Sequence, residues 1–204
     1  MIRPKRKFIT GYPDVFLNNP HVDRVFAFGQ ATYFYTDFVQ DRDVKLMLHD
    51  PYHDTRFLYS DNHLIKVWCE MNGIPYTGEQ PELFLTNREV EFNKNKFVSD
   101  KPIFLLQTNG GAPNQPHKYS WARDIPAGVV VKIVERFKDE YNIVHIRRED
   151  QPQYNDVISM TESNFRSIVA LISMSTKRLL MDSFAQHAAA ALNLRSTVLW
   201  IAHK

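Results

Sequence analysis

From Pro102 to the end of the chain, short apolar runs of strand length alternate with longer segments of helical spacing. The first run, PIFLLQT, is apolar from Ile103 to Leu106, as expected of a strand buried on both faces. Strands separated by single helices form a parallel sheet that carries helices on its faces. The pattern predicts an α/β domain with strands at 102–108, 142–146, 177–181 and 196–202 and helices at 127–141, 163–175 and 184–193.

The first half of the chain is less regular and predicts fewer helices. Residues 61–73 predict a helix that is capped by Asp61 or Asn62 and is followed by Gly73 in a left-handed conformation. Strands are predicted at 7–11, 22–28, 43–50 and 81–86.

A polar segment, residues 87–101, separates the two halves. It predicts a boundary near residues 92–100, between a first domain over 1–95 and a second over 100–204. The first half has few helices for its strands, and the last strand has no covering helix after it. We therefore expect both domains to be incomplete, in a piece of a larger protein or in a chain completed by a partner.

Charge and cysteine usage exclude several classes of protein. A net charge of +2 argues against a dedicated nucleic-acid binder. The basic cluster RPKRK near the start favours a solvated chain end and leaves peripheral association with anionic lipid open. One cysteine, Cys69, allows no intrachain disulfide, which favours a reducing, cytoplasmic location. We expect no signal peptide and no membrane span, because the sequence shows no small-residue cleavage site and no apolar run of 18 residues.

Ligands of open α/β sheets bind at the carboxyl ends of the strands, and two candidate elements follow the strand 102–108. In TNGG, Thr108 to Gly111, two glycines would let the backbone approach a ligand and turn its N–H groups toward an anion. Lys118, three residues before Trp121, could neutralise a phosphate. A plain turn is equally compatible with TNGG, and a solvated side chain is the favoured interpretation of Lys118 taken alone.

The third element, DSFAQHAAAALN, follows the strand 177–181. Asp182 ends that strand, and Ser183 stands where a helix cap belongs. The N-terminus of the following helix would present unpaired N–H groups and a positive dipole to an anion. His187, four residues after Ser183, can face the same side. A capped crossover helix with a half-buried histidine is the alternative.

HDPYHD, residues 49–54, is a rival metal site, but Pro51 makes a regular helix across it unfavourable. Zinc requires three or four ligands, and the sequence offers no convincing third. A solvated loop is favoured, and a metal-dependent hydrolase built on His49, Asp50 and His53 is the weaker alternative.

The order of these motifs resembles the second domain of the family 9 glycosyltransferases, the heptosyltransferase-like enzymes. Their pattern is Asp-(Ser/Thr)-Gly-x-x-His-x-Ala-x-Ala, followed by a small residue and a strand. The residues that match it are Asp182, Ser183, His187, Ala189 and Ala191. Phe184 replaces the glycine. YPDVFLNNPHVDRVF and DNHLIKVWCEMNGI, which precedes PELFLT, are similar to segments of the family's first domain, so the resemblance covers nearly the whole chain.

The resemblance implies the GT-B architecture, with two Rossmann-like domains built on parallel sheets. It implies an inverting, metal-independent transfer of a sugar from a nucleotide-diphosphate sugar to a glycan, with no cofactor. In the best-known members a heptose passes from an ADP-sugar to the core of lipopolysaccharide. The alternative is a GT-B-like binding module that has lost its catalytic loop.

The resemblance also implies roles for individual residues. Lys118 would contact the donor diphosphate, Asp182 would bind sugar hydroxyls, and the amides after Ser183, with His187, would complete the cradle. The expected donor-binding set also contains Thr108, Asn109, Gly110, Gly111 and Phe184. The family's proposed base lies in a Gly-Asp loop that would precede Met1, so no catalytic residue is assigned.

Overall fold

The computed structural model describes residues 6–47, 50–97, 100–110, 123–161 and 164–200. The chain divides into two compact units, one formed by Met1–Val25 with Pro81–Lys204 and the other by Phe26–Gln80. The predicted domain limits, 1–95 and 100–204, stay a prediction, because compactness alone does not establish which residues fold as one domain.

Seven strands and seven α-helices lie within the described residues. The strands are β1 (Lys7–Thr10), β2 (Arg24–Ala27), β3 (Ile103–Gln107), β4 (Asn142–Ile146), β5 (Ile158–Met160), β6 (Lys177–Met181) and β7 (Thr197–Leu199). The helices are α1 (Phe34–Phe38), α2 (Thr55–Leu58), α3 (Leu64–Met71), α4 (Asn87–Lys94), α5 (Ala127–Phe137), α6 (Phe165–Met174) and α7 (Phe184–Ala191). Short 3-10 helices span Pro13–Phe16, Pro51–His53 and Asn95–Phe97.

Five strands form one parallel sheet in the order β5-β4-β3-β6-β7, which confirms the predicted α/β class. The chain runs outward from β3 to β4 and β5, then crosses to β6 and β7 on the other side. The strand order therefore reverses between β3 and β6. We call the carboxyl ends of these two strands the switch point, where sheets of this kind bind ligands.

Alternate residues of β3 face two separate layers of helices. Phe104 and Leu106 pack in a core with Val130 and Val134 of α5. Leu105, on the opposite face, packs in a core that contains buried residues of α6 and α7. The sheet is therefore covered on both sides, as its continuous apolar strands require.

The polar segment predicted to form the domain boundary contains a helix, α4, which the sequence analysis missed. Thr86 and Glu89 form a capping box, in which each side chain accepts a hydrogen bond from the other residue's backbone N–H. Arg166 of α6 donates to both carboxylate oxygens of Glu89, at 2.7 and 2.9 Å. This ion pair joins α4 to α6, so the segment is an integral part of its compact unit.

The strand predicted at 81–86 is wrong, because these residues lie outside any sheet. Leu83 and Leu85 pack against the core on the α6 and α7 side. The Leu83 N–H donates to the carbonyl of Ala191 at 3.3 Å, and no strand ladder forms. The apolar run is explained by packing against helices.

The first two strand predictions are confirmed by β1 and β2, which form a separate two-stranded sheet. The strand predicted at 43–50 is wrong over its described residues 43–47, which have no regular structure. Leu46 and Met47 are 67% and 51% exposed, so their side chains are not buried as those of a strand in a covered sheet would be.

In the unit Phe26–Gln80, the predicted helix is present as α3 but begins later than expected. Its cap is His63, whose Nδ1 accepts a hydrogen bond from the Ile65 N–H, and not Asp61 or Asn62. Gly73 has the predicted left-handed conformation, with φ of 65°. None of the described helices is long and apolar enough to cross a membrane.

Candidate functional site

A hydrogen bond joins the two strands of the switch point just beyond their last paired residues. Ser183 Oγ, after β6, donates to Oε1 of Gln107, the last residue of β3, at 2.8 Å. The same Ser183 oxygen accepts from the Ala185 N–H and so caps α7, as predicted. One hydroxyl therefore fixes the N-terminus of α7 against the end of β3.

The Asp182 carboxylate is oriented by groups on both sides. Its Oδ1 accepts a hydrogen bond from Gln186 Nε2 at 2.7 Å, one turn along α7. Its Oδ2 lies 3.7 Å from a guanidinium nitrogen of Arg123. The Asp182 side chain is 15% exposed, so it is held in place while an edge stays open to solvent. Gln107, Arg123 and Gln186 are site residues that the sequence analysis did not identify.

Residues 108–110 pair with 123–125 in a short antiparallel bridge beside the switch point. The Ile125 N–H donates to the Thr108 carbonyl at 2.8 Å, and the Gly110 N–H donates to the Arg123 carbonyl at 2.9 Å. The Gly110 N–H is thus committed to the bridge and is not turned toward a ligand. A role of Gly110 in donor binding stays a prediction. Because its N–H is used in the bridge, Gly110 would contribute only by leaving open the space that a side chain would fill.

We expect alanine at Gly110 to lower the free energy of unfolding by about 1–2 kcal/mol. A Cβ built at Gly110 would lie 2.8 Å from the Cβ of Arg123, closer than carbon atoms normally approach. Gly128→Ala is the matched control, because it meets nothing within 4 Å in α5 and should stabilise by up to about 1 kcal/mol. Urea unfolding of both variants checks the prediction, and equal effects would contradict it.

A buried histidine, His145, lies behind the bridge and was also missed from the sequence. Its Nε2 is 2.8 Å from Thr108 Oγ1, and both residues are fully buried. Burial, with a smaller contribution from the positive charge of Arg147, lowers the pKa of His145 to about 4. The imidazole is therefore neutral at physiological pH.

Two of the remaining predicted residues, Phe184 and His187, lie on α7. His187 is exposed on α7. Phe184 is 42% exposed, and its ring centroid lies 6.2 Å from the ring centroid of Phe165. Phe184 does not have a positive φ, so its backbone conformation does not require the glycine of the family pattern. Gly111, Lys118 and Trp121 lie outside the described residues.

The rival metal site gains no support. Among the described residues, no group of three or more His, Cys, Asp or Glu side chains is close enough to hold a metal ion. His53 Nδ1 lies 2.9 Å from Asp50 Oδ2, and Asp54 is paired with Arg56 at 2.8 Å. His49 lies outside the described residues.

A shallow cavity of about 530 Å³ lies at the opposite edge of the sheet, next to Asn142 and Ile158 at the starts of β4 and β5. Lys138, which lines the cavity, forms ion pairs with Glu135 and Asp156 at 2.9 and 3.1 Å. The cavity therefore lies away from the carboxyl ends of the strands, and the switch point is the stronger candidate.

Solved structures that are similar to this chain include two glycosyltransferases. ADP-heptose LPS heptosyltransferase II of E. coli is 19% identical, with a TM-score of 0.51 over 63% of this chain and 42% of that one. A family 9 glycosyl transferase of Veillonella parvula is 10% identical, with a TM-score of 0.67 over 95% of this chain and 80% of that one.

No protein-family model and no curated protein sequence matches the chain. The chain spans less than half the length of the E. coli enzyme. At these identities the similarity establishes the fold, so the predicted GT-B-like class is confirmed.

Proposed function

We propose that this chain binds a nucleotide-diphosphate sugar at the switch point and belongs to an enzyme that transfers the sugar to a glycan. The observation that carries the proposal is the Ser183–Gln107 hydrogen bond, which fixes Asp182 and the N-terminus of α7 at the end of β3. The switch point therefore combines an oriented carboxylate, which can bind sugar hydroxyls, with helix N–H groups, which can bind phosphate.

The chemistry of the leaving group supports the same assignment. Transfer of a sugar from its nucleotide releases a nucleoside diphosphate, on which negative charge develops. The positive end of α7, the guanidinium of Arg123 and, by the family resemblance, Lys118 would stabilise that charge without a metal ion. The resemblance also supports inversion, an ADP-heptose donor and a lipopolysaccharide acceptor. The base that takes the acceptor proton remains unassigned.

The test is a thermal shift with ADP, UDP, ADP-glucose and UDP-glucose. At ten times its Kd, a ligand should raise the Tm of the wild-type protein by about 4 °C. Ser183→Ala should reduce the shift with diphosphates and sugar nucleotides alike, because it removes the cap of α7. Asp182→Ala should reduce only the additional shift that the sugar provides.

Asp139→Asn is the control, because Asp139 is exposed and precedes β4 at the opposite edge of the sheet. It should leave every shift unchanged. If none of the four compounds raises the Tm of the wild-type protein, the proposed function fails. Binding with neither hydrolysis nor transfer of the sugar would favour the non-catalytic module.

A further inference from the structure

His145 stands out because it is a polar residue among the buried residues of β4, Ile143 to Ile146. It lies on the same side of β4 as Ile143, which packs in the core beneath α5. The His145 side chain is fully buried, and its ring centroid is 5.6 Å from that of Tyr154. In the sheet, His145 lies beside the carboxyl end of β3, where the candidate donor site begins.

The hydrogen bonds around Thr108 determine where the protons lie. Thr108 Oγ1 donates its single proton to Asn109 Oδ1 at 2.6 Å. When Thr108 donates to Asn109, its hydroxyl accepts at the 2.8 Å contact with His145 Nε2, and Nε2 then carries the imidazole proton. Nδ1 is then an unprotonated acceptor, buried and without a hydrogen-bond partner among the described residues.

A buried acceptor without a partner destabilises a protein by about 1–3 kcal/mol. An apolar side chain at this position would avoid that penalty and would suit the surrounding core. What histidine supplies here is the Nε2–H that directs the Thr108 hydroxyl toward Asn109. The group that this Nε2–H can affect is therefore the side chain of Asn109.

We propose that His145 is a positioning residue for Asn109, which it orients through Thr108 so that the Asn109 amide donates to a phosphate oxygen. With Oδ1 accepting the Thr108 proton at 2.6 Å, the Asn109 amide keeps its Nδ2 group on the side away from Thr108. The Nδ2 group left over is a donor only, which suits an anionic oxygen. This inference rests on the proposed function, because it assigns part of the same donor site.

The test is a double-mutant cycle, with affinities for ADP and UDP measured by calorimetry. His145→Leu should weaken binding of the nucleotide by about tenfold, since it loosens a hydrogen bond to a charged group. In an Asn109→Ala background, His145→Leu should have no further effect, because the residue on which it acts is gone. Adenosine and uridine, which lack phosphate, should bind all variants equally.

His145→Gln provides the rescue, because its Nε2 can place an N–H near that of the imidazole. It should restore most of the affinity that His145→Leu loses. If His145→Leu has no effect, or weakens binding equally with and without Asn109, the inference is overturned while the proposed function stands. A role of His145 limited to packing would give that second result.

If the wild-type protein binds neither nucleotide, a second measurement tests the inference. His145→Leu should shift the side-chain amide signals of Asn109 in NMR spectra, and His145→Gln should leave them close to wild type. Unchanged Asn109 signals in His145→Leu would overturn the inference without reference to a ligand. Absence of nucleotide binding, by contrast, counts against the proposed function alone.

Discussion

Replacing Arg166 with methionine is expected to lower the free energy of unfolding by about 3–5 kcal/mol. Arg166 is 7% exposed and makes two hydrogen bonds to the Glu89 carboxylate. It also donates to the carbonyls of Phe84 and Asp14. Methionine would leave the Glu89 charge unpaired and two carbonyls without their donor. Urea unfolding, with midpoints compared at equal m-values, measures the loss.

Arg136→Met is the matched control. Arg136, near the end of α5, pairs with Glu140 four residues later in the chain, but both side chains are more than half exposed. Loss of such a pair lowers stability by about 0.5 kcal/mol or less. Arg166→Lys should fall between the two, since lysine keeps the charge but not the planar fork of donors. If Arg166→Met unfolds at the same urea concentration as Arg136→Met, the buried pair does not stabilise the unit.

The parts of the fold that were predicted correctly have strong local signals. β3, β4 and β6 each have five residues and contain a short apolar run, and α5 has its apolar side chains at helical spacing. Both patterns arise because each element must bury a defined face against its neighbours. The parallel direction of the strands then follows from their alternation with helices, whereas the order of the strands in the sheet does not.

The wrong predictions share a physical cause. Residues 81–86 and 43–47 have strand-like composition, but pairing requires a second strand that is distant in sequence. Leu83 and Leu85 are instead buried against helices. The reverse error concerns α4, whose residues are mostly polar. The capping box of Thr86 and Glu89 was the one signal in the sequence that could have revealed it.

The candidate site was predictable only where its residues follow strands directly. Asp182 and Ser183 met that condition, and Ser183 caps α7 as the sequence indicated. Gln107 and His145 lie inside strands, where position alone gives no functional signal. A single histidine within the apolar run NIVHI was the available hint, but its contact with Thr108 spans 37 residues and depends on the register of the sheet.

The neutral state of His145 predicts how stability depends on pH. The pKa of His145 falls from 6.5 to about 4 on folding, because burial and the nearby Arg147 disfavour its charged form. Tyr154, which contacts its ring, is uncharged in this pH range. Between about pH 6.5 and pH 4, this histidine therefore binds a proton in the unfolded chain but not in the folded protein. Relative to a variant without this histidine, we expect the wild-type protein to lose about 2 kcal/mol between pH 7 and pH 5.

The variant for this comparison is His145→Gln, which has no titratable group at the position. Free energies of unfolding from urea titrations at pH 7, 6 and 5 should fall more steeply for the wild-type protein than for His145→Gln. His187→Gln is the control, because His187 is exposed on α7 and should leave the wild-type slope unchanged. Parallel pH profiles for the wild-type protein and His145→Gln would mean that His145 accepts a proton in the folded state. In that case Nδ1 would have a partner, and the imidazole would not be confined to the Nε2–H form that orients Thr108.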